Sequence, residues 1–271
     1  MISITGMTSF TALKLIDATQ DRQLETIRSQ AQHQRAIDYF SENIGDVETV
    51  DQLIEDPELY GFVMRAFDLE DQIFGKAMIE KILKSNIEES DALVNKLTDV
   101  RFREMYEELG FGTDGVGNLN TASSTWRQDM VDRYVERQFI NSYAEENETV
   151  ATALEFRNKV ADIDSPYDIL KDTGMSEFFR TALGLPESIA QLDIDRQAEI
   201  IEAKIDLETL SDPEVQEQLV RKYIAISDIE NNTAASTSAA LTILTGSDAT
   251  SIISATLDIL PVGFSASSLY R

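Results

Sequence analysis

His33 is the only histidine in this 271-residue chain, and there is no cysteine. A two-histidine metal site, a thiolate ligand set, a cysteine nucleophile and a disulfide are therefore all out of reach within one chain. A Ser-His-Asp relay would have to run through His33, yet no Gly-x-Ser-x-Gly turn presents a serine to it. His33 lies among Gln and Arg residues in a helical stretch, where a solvated side chain is expected. Gly110-x-Gly112-x-x-Gly115 matches a dinucleotide-binding fingerprint by letters. That chemistry needs a preceding strand and an uncharged turn, whereas here a helix precedes and Asp114 would face the phosphates.

Carboxylates are the remaining reactive groups. Asp162, Asp164 and Asp168 suggest a calcium loop, but the sharp-turn glycine and the closing bidentate glutamate are missing, so capping of a helix around Ser165-Pro166 explains them better. Asp193, Asp195 and Glu199 read as a solvated helix face. Paired-carboxylate hydrolysis has no singled-out pair and no aromatic-rich cleft to support it. Trp126 reads as core or interface filling. Asn147-Glu148-Thr149 and Asn231-Asn232-Thr233 fit the glycosylation pattern, and both read as coincidence. The expectation is no catalytic residue, no cofactor and no metal site.

Charge narrows the partners. Lys and Arg number 23 against 49 Asp and Glu, a net of −26. Such a field repels phosphate backbones and anionic headgroups, which argues against nucleic acid and favours a protein, particularly a basic one. Residues Met1 to Leu15 lack a basic start and a continuous apolar stretch, so no cleavable signal peptide is expected. With no run of about 18 apolar residues, no membrane insertion is expected either.

The elements that would position these groups are helices. Five prolines and twelve glycines punctuate the chain, and no alternating strand pattern occurs. Residues 9–44 read as one long helix with Leu24, Ile27, Ala31, Ile37, Phe40 and Ile44 along one side. A short helix follows at 50–55. Asp56-Pro57 then opens another, with an N-cap carboxylate and a first-turn proline, placing Leu59, Phe62, Val63, Ala66 and Phe67 on one face.

Residues 36–73 recur at 152–189 without a gap, 116 positions later. Phe40 pairs with Phe156, Asp46 with Asp162, Asp56 with Asp172, Phe62 with Phe178, Ala66 with Ala182, Leu69 with Leu185 and Ile73 with Ile189. An offset of 111 relates Asp21-Arg22 to Asp132-Arg133, and one of 113 relates Leu97-Thr98-Asp99 to Leu210-Ser211-Asp212. These matches fall on buried-face and capping positions, as a duplicated packing plan requires, with Asp56, Asp99, Asp172 and Asp212 as repeated caps. The expected fold is all-α: two tandem, diverged helical repeats, each a long helix with several short Asp-capped ones, or one elongated bundle. The expected divisions are 1–20 (apolar, weakly charged), 21–111 (repeat one), 112–123 (a Gly/Asn/Ser linker), 124–230 (repeat two, opened by a long helix that Ser124 caps and that runs to about Val160) and 231–271.

That last segment carries only Asp248, Asp258 and Arg271 as charges, amid Ser, Thr, Ala and apolar residues. Weakly charged apolar ends on an acidic body either pack on the body or on each other, or stay uncovered until a partner or a second copy orders them. The interaction residues expected on the second alternative are Ile4, Phe10, Leu13 and Ile16 at the start, with Leu241, Leu244, Ile253 and Leu257 at the end.

The opening Ser3-Ile4-Thr5-Gly6, the long Gln/Arg-rich helical stretch, the repeated Asp-capped modules and the Ser/Thr-rich end resemble an all-helical bacterial family of unknown function. Its genes usually lie among flagellar genes. The resemblance covers most of the chain and implies a helical fold and a flagellar setting, with no catalytic motif. Axial flagellar proteins also lack cysteine, start without a cleaved signal and carry apolar ends that order on polymerisation. That setting and the apolar ends together lead to the expectation of a non-enzymatic structural or assembly protein, cytoplasmic or exported through the flagellar apparatus, whose partners are flagellar components or further copies of itself. The alternative is a cytoplasmic acidic binding module or export chaperone.

Overall fold

The structure is a computed structural model, described here for residues 1–231. Among these residues every regular element is helical: α1 (Ser9–Asp17), α2 (Gln20–Ser29), α3 (Ala31–Asn43), α4 (Val50–Glu55), α5 (Pro57–Ala66), α6 (Lys76–Leu83), α7 (Leu93–Lys96), α8 (Val100–Leu109), α9 (Ser124–Ala144), α10 (Glu148–Lys159), α11 (Pro166–Lys171), α12 (Thr173–Ala182), α13 (Ile194–Glu202) and α14 (Pro213–Asn231). One isolated antiparallel bridge joins Thr49 to Val116.

Both expected long helices are broken. The stretch 9–44 divides at Ala18–Thr19 and again at Gln30, whose ψ of 131° is extended. Neither break has glycine or proline. Their cause is tertiary: α1 packs on α10 and α14, whereas α2 packs on α9, so the chain must turn between them. The second long helix stops at Ala144 and restarts at Glu148, where Asn147 Oδ1 accepts from the backbone N–H of Val150 at 3.0 Å. Ser123, one residue before the expected cap, caps α9.

The four aspartates do cap their helices. Asp56 Oδ1 accepts from the N–H groups of Glu58 and Leu59 at 2.9 and 3.0 Å. Asp99 accepts from Arg101 N at 3.1 Å, Asp172 from Met175 N at 3.1 Å and Asp212 from Glu214 N at 2.8 Å. Each satisfies a first-turn donor that would otherwise lack a partner.

The spacing of 116 recurs in three dimensions. Helices α4 and α5 have the same lengths as α11 and α12 and lie 116 residues before them. Both α5 and α12 close on a left-handed residue, Asp68 at φ 57° and Gly184 at φ 64°. Leu69 N donates to Met64 O, and Leu185 N to Arg180 O, each at 2.8 Å. In this terminating turn an N–H reaches the carbonyl five residues back. The rings follow: Phe40 stacks on Phe62 at 4.1 Å and 15°, and Phe156 on Phe178 at 4.1 Å and 12°.

The third ring of each stack breaks the register. Tyr134 of α9 lies 4.4 Å from Phe62, while Tyr223 of α14 lies 4.7 Å from Phe178. So α9, which follows the stretch 112–123, completes the layer around Phe40 and Phe62. One continuous set of buried apolar side chains runs from Ile4 through Phe40 and Tyr134 to Phe178 and Ile224. The stretch 112–123 is folded back onto it: Gly117 N donates to Glu48 O at 2.8 Å, and Trp126 Nε1 to Glu108 O at 3.0 Å.

Candidate functional site

The N-terminal interaction residues are mostly inside. Ile4, Leu13 and Ile16 are buried in the body, which corrects the expectation that they form an open surface; Phe10 alone is exposed. The reason is visible at Ser3-Ile4-Thr5-Gly6. Glu146, in the α9–α10 turn, takes hydrogen bonds from Ser3 Oγ and Ile4 N at 2.8 Å each and from Thr5 Oγ1 at 3.0 Å. Those donors, led by Ser3, hold the Glu146 carboxyl below the usual range. Leu241, Leu244, Ile253 and Leu257 lie outside the described residues.

His33 is half-buried, not solvated. Its Nδ1 shares a 2.8 Å hydrogen bond with Tyr134 Oη, and burial, with the Arg65 charge second, lowers its pKa. The glycine motif is turn geometry. Gly110 ends α8 at φ 62°, and a Cβ on Gly115 would come within 2.8 Å of Val50 Cγ2. Asp168 accepts from Ser165 N and Ser165 Oγ at 2.8 Å each, a cap, as expected. Asp193, Asp195 and Glu199 are exposed, and Trp126 is core. Asn147 caps α10 and Thr149 is buried, so a folding signal explains the first glycosylation-like triplet.

Residue-by-residue reading of the sequence missed a groove of about 1030 Å³ between the halves, floored by α9 and α10 and walled by α8 and the start of α12. Its lining holds five Lys and Arg against eleven Asp and Glu. That balance matches the whole chain's 23 to 49, so the groove is no trap for anions.

At its base Arg137 grips Glu155 in a bidentate pair, 2.6 and 3.0 Å. Lys159 joins Glu155 at 3.0 Å and the α12 cap Asp172 at 2.6 Å. These four side chains are 12 to 23% exposed, so charge must be matched locally. Burial opposes the Glu155 charge, but Arg137 and Lys159 outweigh it and lower its pKa; burial likewise opposes both cations, and their carboxylates outweigh it and raise theirs. The other groove cations are also paired: Arg101 with Asp99, Arg133 with Glu104 and Lys171 with Asp168. Asp68, in its left-handed turn, accepts from Asn141 at 2.8 Å and pairs with Arg101. Glu136 differs, because burial and then the neighbouring Asp132 push its carboxyl up. No group of three His, Asp or Glu able to hold a metal occurs among the described residues, and no described helix is long and apolar enough to cross a membrane.

These features define an all-helical protein with a polar groove lined by α8, α9, α10 and the start of α12. The chain belongs to the family described as "Protein of unknown function (DUF1217)", whose model matches residues 66–216. It is similar to the X-ray crystal structure of Protein AGR_C_984 from Agrobacterium tumefaciens, at 29% identity and a TM-score of 0.73, covering 86% of this chain and 98% of that one. No curated protein matches the chain.

Proposed function

We propose that this chain is a non-enzymatic, flagellum-associated structural or assembly protein that works by protein–protein interaction. The observation carrying a binding role over a catalytic one is the state of the groove cations. The three least exposed, Arg101, Arg137 and Lys159, are each held by a carboxylate at 2.6–2.7 Å, which commits them to the fold rather than to a reacting group. The flagellar setting rests on the resemblance carried by Ser3-Ile4-Thr5-Gly6, the repeated Asp-capped modules and the Ser/Thr-rich end. We also read the recurrence at 116 residues as an internal duplication, supported by the matched caps, turns and ring stacks.

Deleting residues 235–271 tests this role. The truncated chain should keep its helical circular dichroism and lose self-association or capture of flagellar components. Unchanged association together with unchanged motility would overturn the reading. The alternative, a cytoplasmic acidic chaperone for an export substrate, is favoured by the net charge of −26. Probing culture fluid and detached filaments separates the two, since the chaperone stays inside the cell.

A further inference from the structure

We infer that the outer face of the N-terminal segment is a docking surface for the chain's own residues 232–271. Among the described residues ten large apolar side chains are exposed, and four of them, Met1, Ile2, Met7 and Phe10, fall within the first ten positions. The inner face of this segment is anchored through Ile4, Leu13 and Ile16. Its outer side therefore carries four apolar side chains, each 37–40% exposed, of the kind that proteins cover where they gather.

The position of the last described helix names the occupant. Asp228 of α14 accepts hydrogen bonds from Ser9 N, at 3.3 Å, and from Ser9 Oγ. Arg221, two turns earlier on α14, lies 5.9 Å from the Phe10 ring centre. The chain therefore leaves Asn231 about one helical turn past a residue bonded to the buried Ser9, the sequence neighbour of Phe10. The next 40 residues carry only three charges, and their first large apolar residue is Leu241. Chain statistics give ten residues a reach of roughly 18 Å, so the interval from Asn231 to Leu241 is long enough for the proposed pairing. Tethering at that length gives an effective concentration on the order of millimolar, far above any second copy at micromolar protein. This pairing of the two ends does not depend on the flagellar setting.

The absence of cysteine makes the test clean. A Met7→Cys, Leu244→Cys double variant is compared with a Phe74→Cys, Leu244→Cys control, Phe74 being 96% exposed and elsewhere on the surface. Both sites are open, so neither change disturbs the core, and circular dichroism of the reduced proteins checks this. Under mild oxidation at micromolar protein, the Met7 pair should close an intrachain disulfide at least about tenfold faster than the control, at a rate independent of protein concentration. Equal rates for the two pairs would overturn the proposal. So would disulfides formed only between chains, at a rate rising with concentration, which would assign the surface to a second copy.

Discussion

Glu155 is the most heavily committed side chain in the groove, holding Arg137 by two hydrogen bonds and Lys159 by a third contact. Replacing it by Gln removes one negative charge, leaving Arg137 without its carboxylate partner and Lys159 with Asp172 alone. Breaking a fully buried pair costs roughly 3–5 kcal/mol, and the residual exposure here brings the expected loss to about 2–3 kcal/mol at pH 7. The pH dependence has a definite sign. The folded-state pKa of Glu155 is lowered, so its contribution is present above the ordinary glutamate value and is lost as pH falls below it. Urea titrations at pH 7 and in the acid range should show the Glu155→Gln variant converging on the wild type as pH drops. A constant difference across that range would show that the charge is not the stabilising quantity. None of this network was legible beforehand, because Arg137, Glu155 and Asp172 come from three helices, and an acid-rich chain offers every carboxylate as an equal candidate. Asn147 was legible and misassigned: an Asn followed by Glu is a cap, and recognising it would have broken the second long helix in the right place.

The caps can be ranked at the scale of the element. Asp212 accepts one bond, from Glu214 N at 2.8 Å, in exposed surroundings. Asp172 both caps α12 and pairs with the part-buried Lys159 at 2.6 Å. Asp212→Ala should therefore cost about 1 kcal/mol, the usual worth of an N-cap. Asp172→Ala should cost more, by at least about 1 kcal/mol, since a part-buried ammonium also loses a partner. Equal losses in thermal melts would mean that the Lys159 pair contributes nothing. The capped starts were readable because Asp-Pro-Glu and its variants act within one turn of chain. The breaks at Ala18–Thr19 and Gln30 were not, because the local sequence there favours continued helix and the turn is imposed by where α1 and α2 must pack. The same reasoning covers Ile4, Leu13 and Ile16: weak charge at the start signalled an apolar face, and only the structure says that the body itself covers it.

At the scale of the whole molecule, the join in the chain is not a join in the core. Tyr134 and Val135 of α9 are buried with Phe62 and Phe40, while α1, from the N-terminal segment ahead of residue 21, packs on α10 and α14. The apolar layers on either side of the join are thus each completed by a helix from the other side of it. Residues 1–111 alone would lack α9 and expose the Phe40–Phe62 stack, and residues 124–231 alone would expose the α9 face carrying Met130, Val131 and Tyr134. Losing a helix from a core removes several buried side chains at roughly 1.5–3 kcal/mol each, more than the net stability of a typical domain. Neither fragment should therefore show a cooperative melt by circular dichroism, whereas co-expressing the two should restore one helical, cooperatively melting complex. A fragment that melts cooperatively alone, with the helicity it has in the full chain, would make the halves independent domains and the exchanged helices incidental.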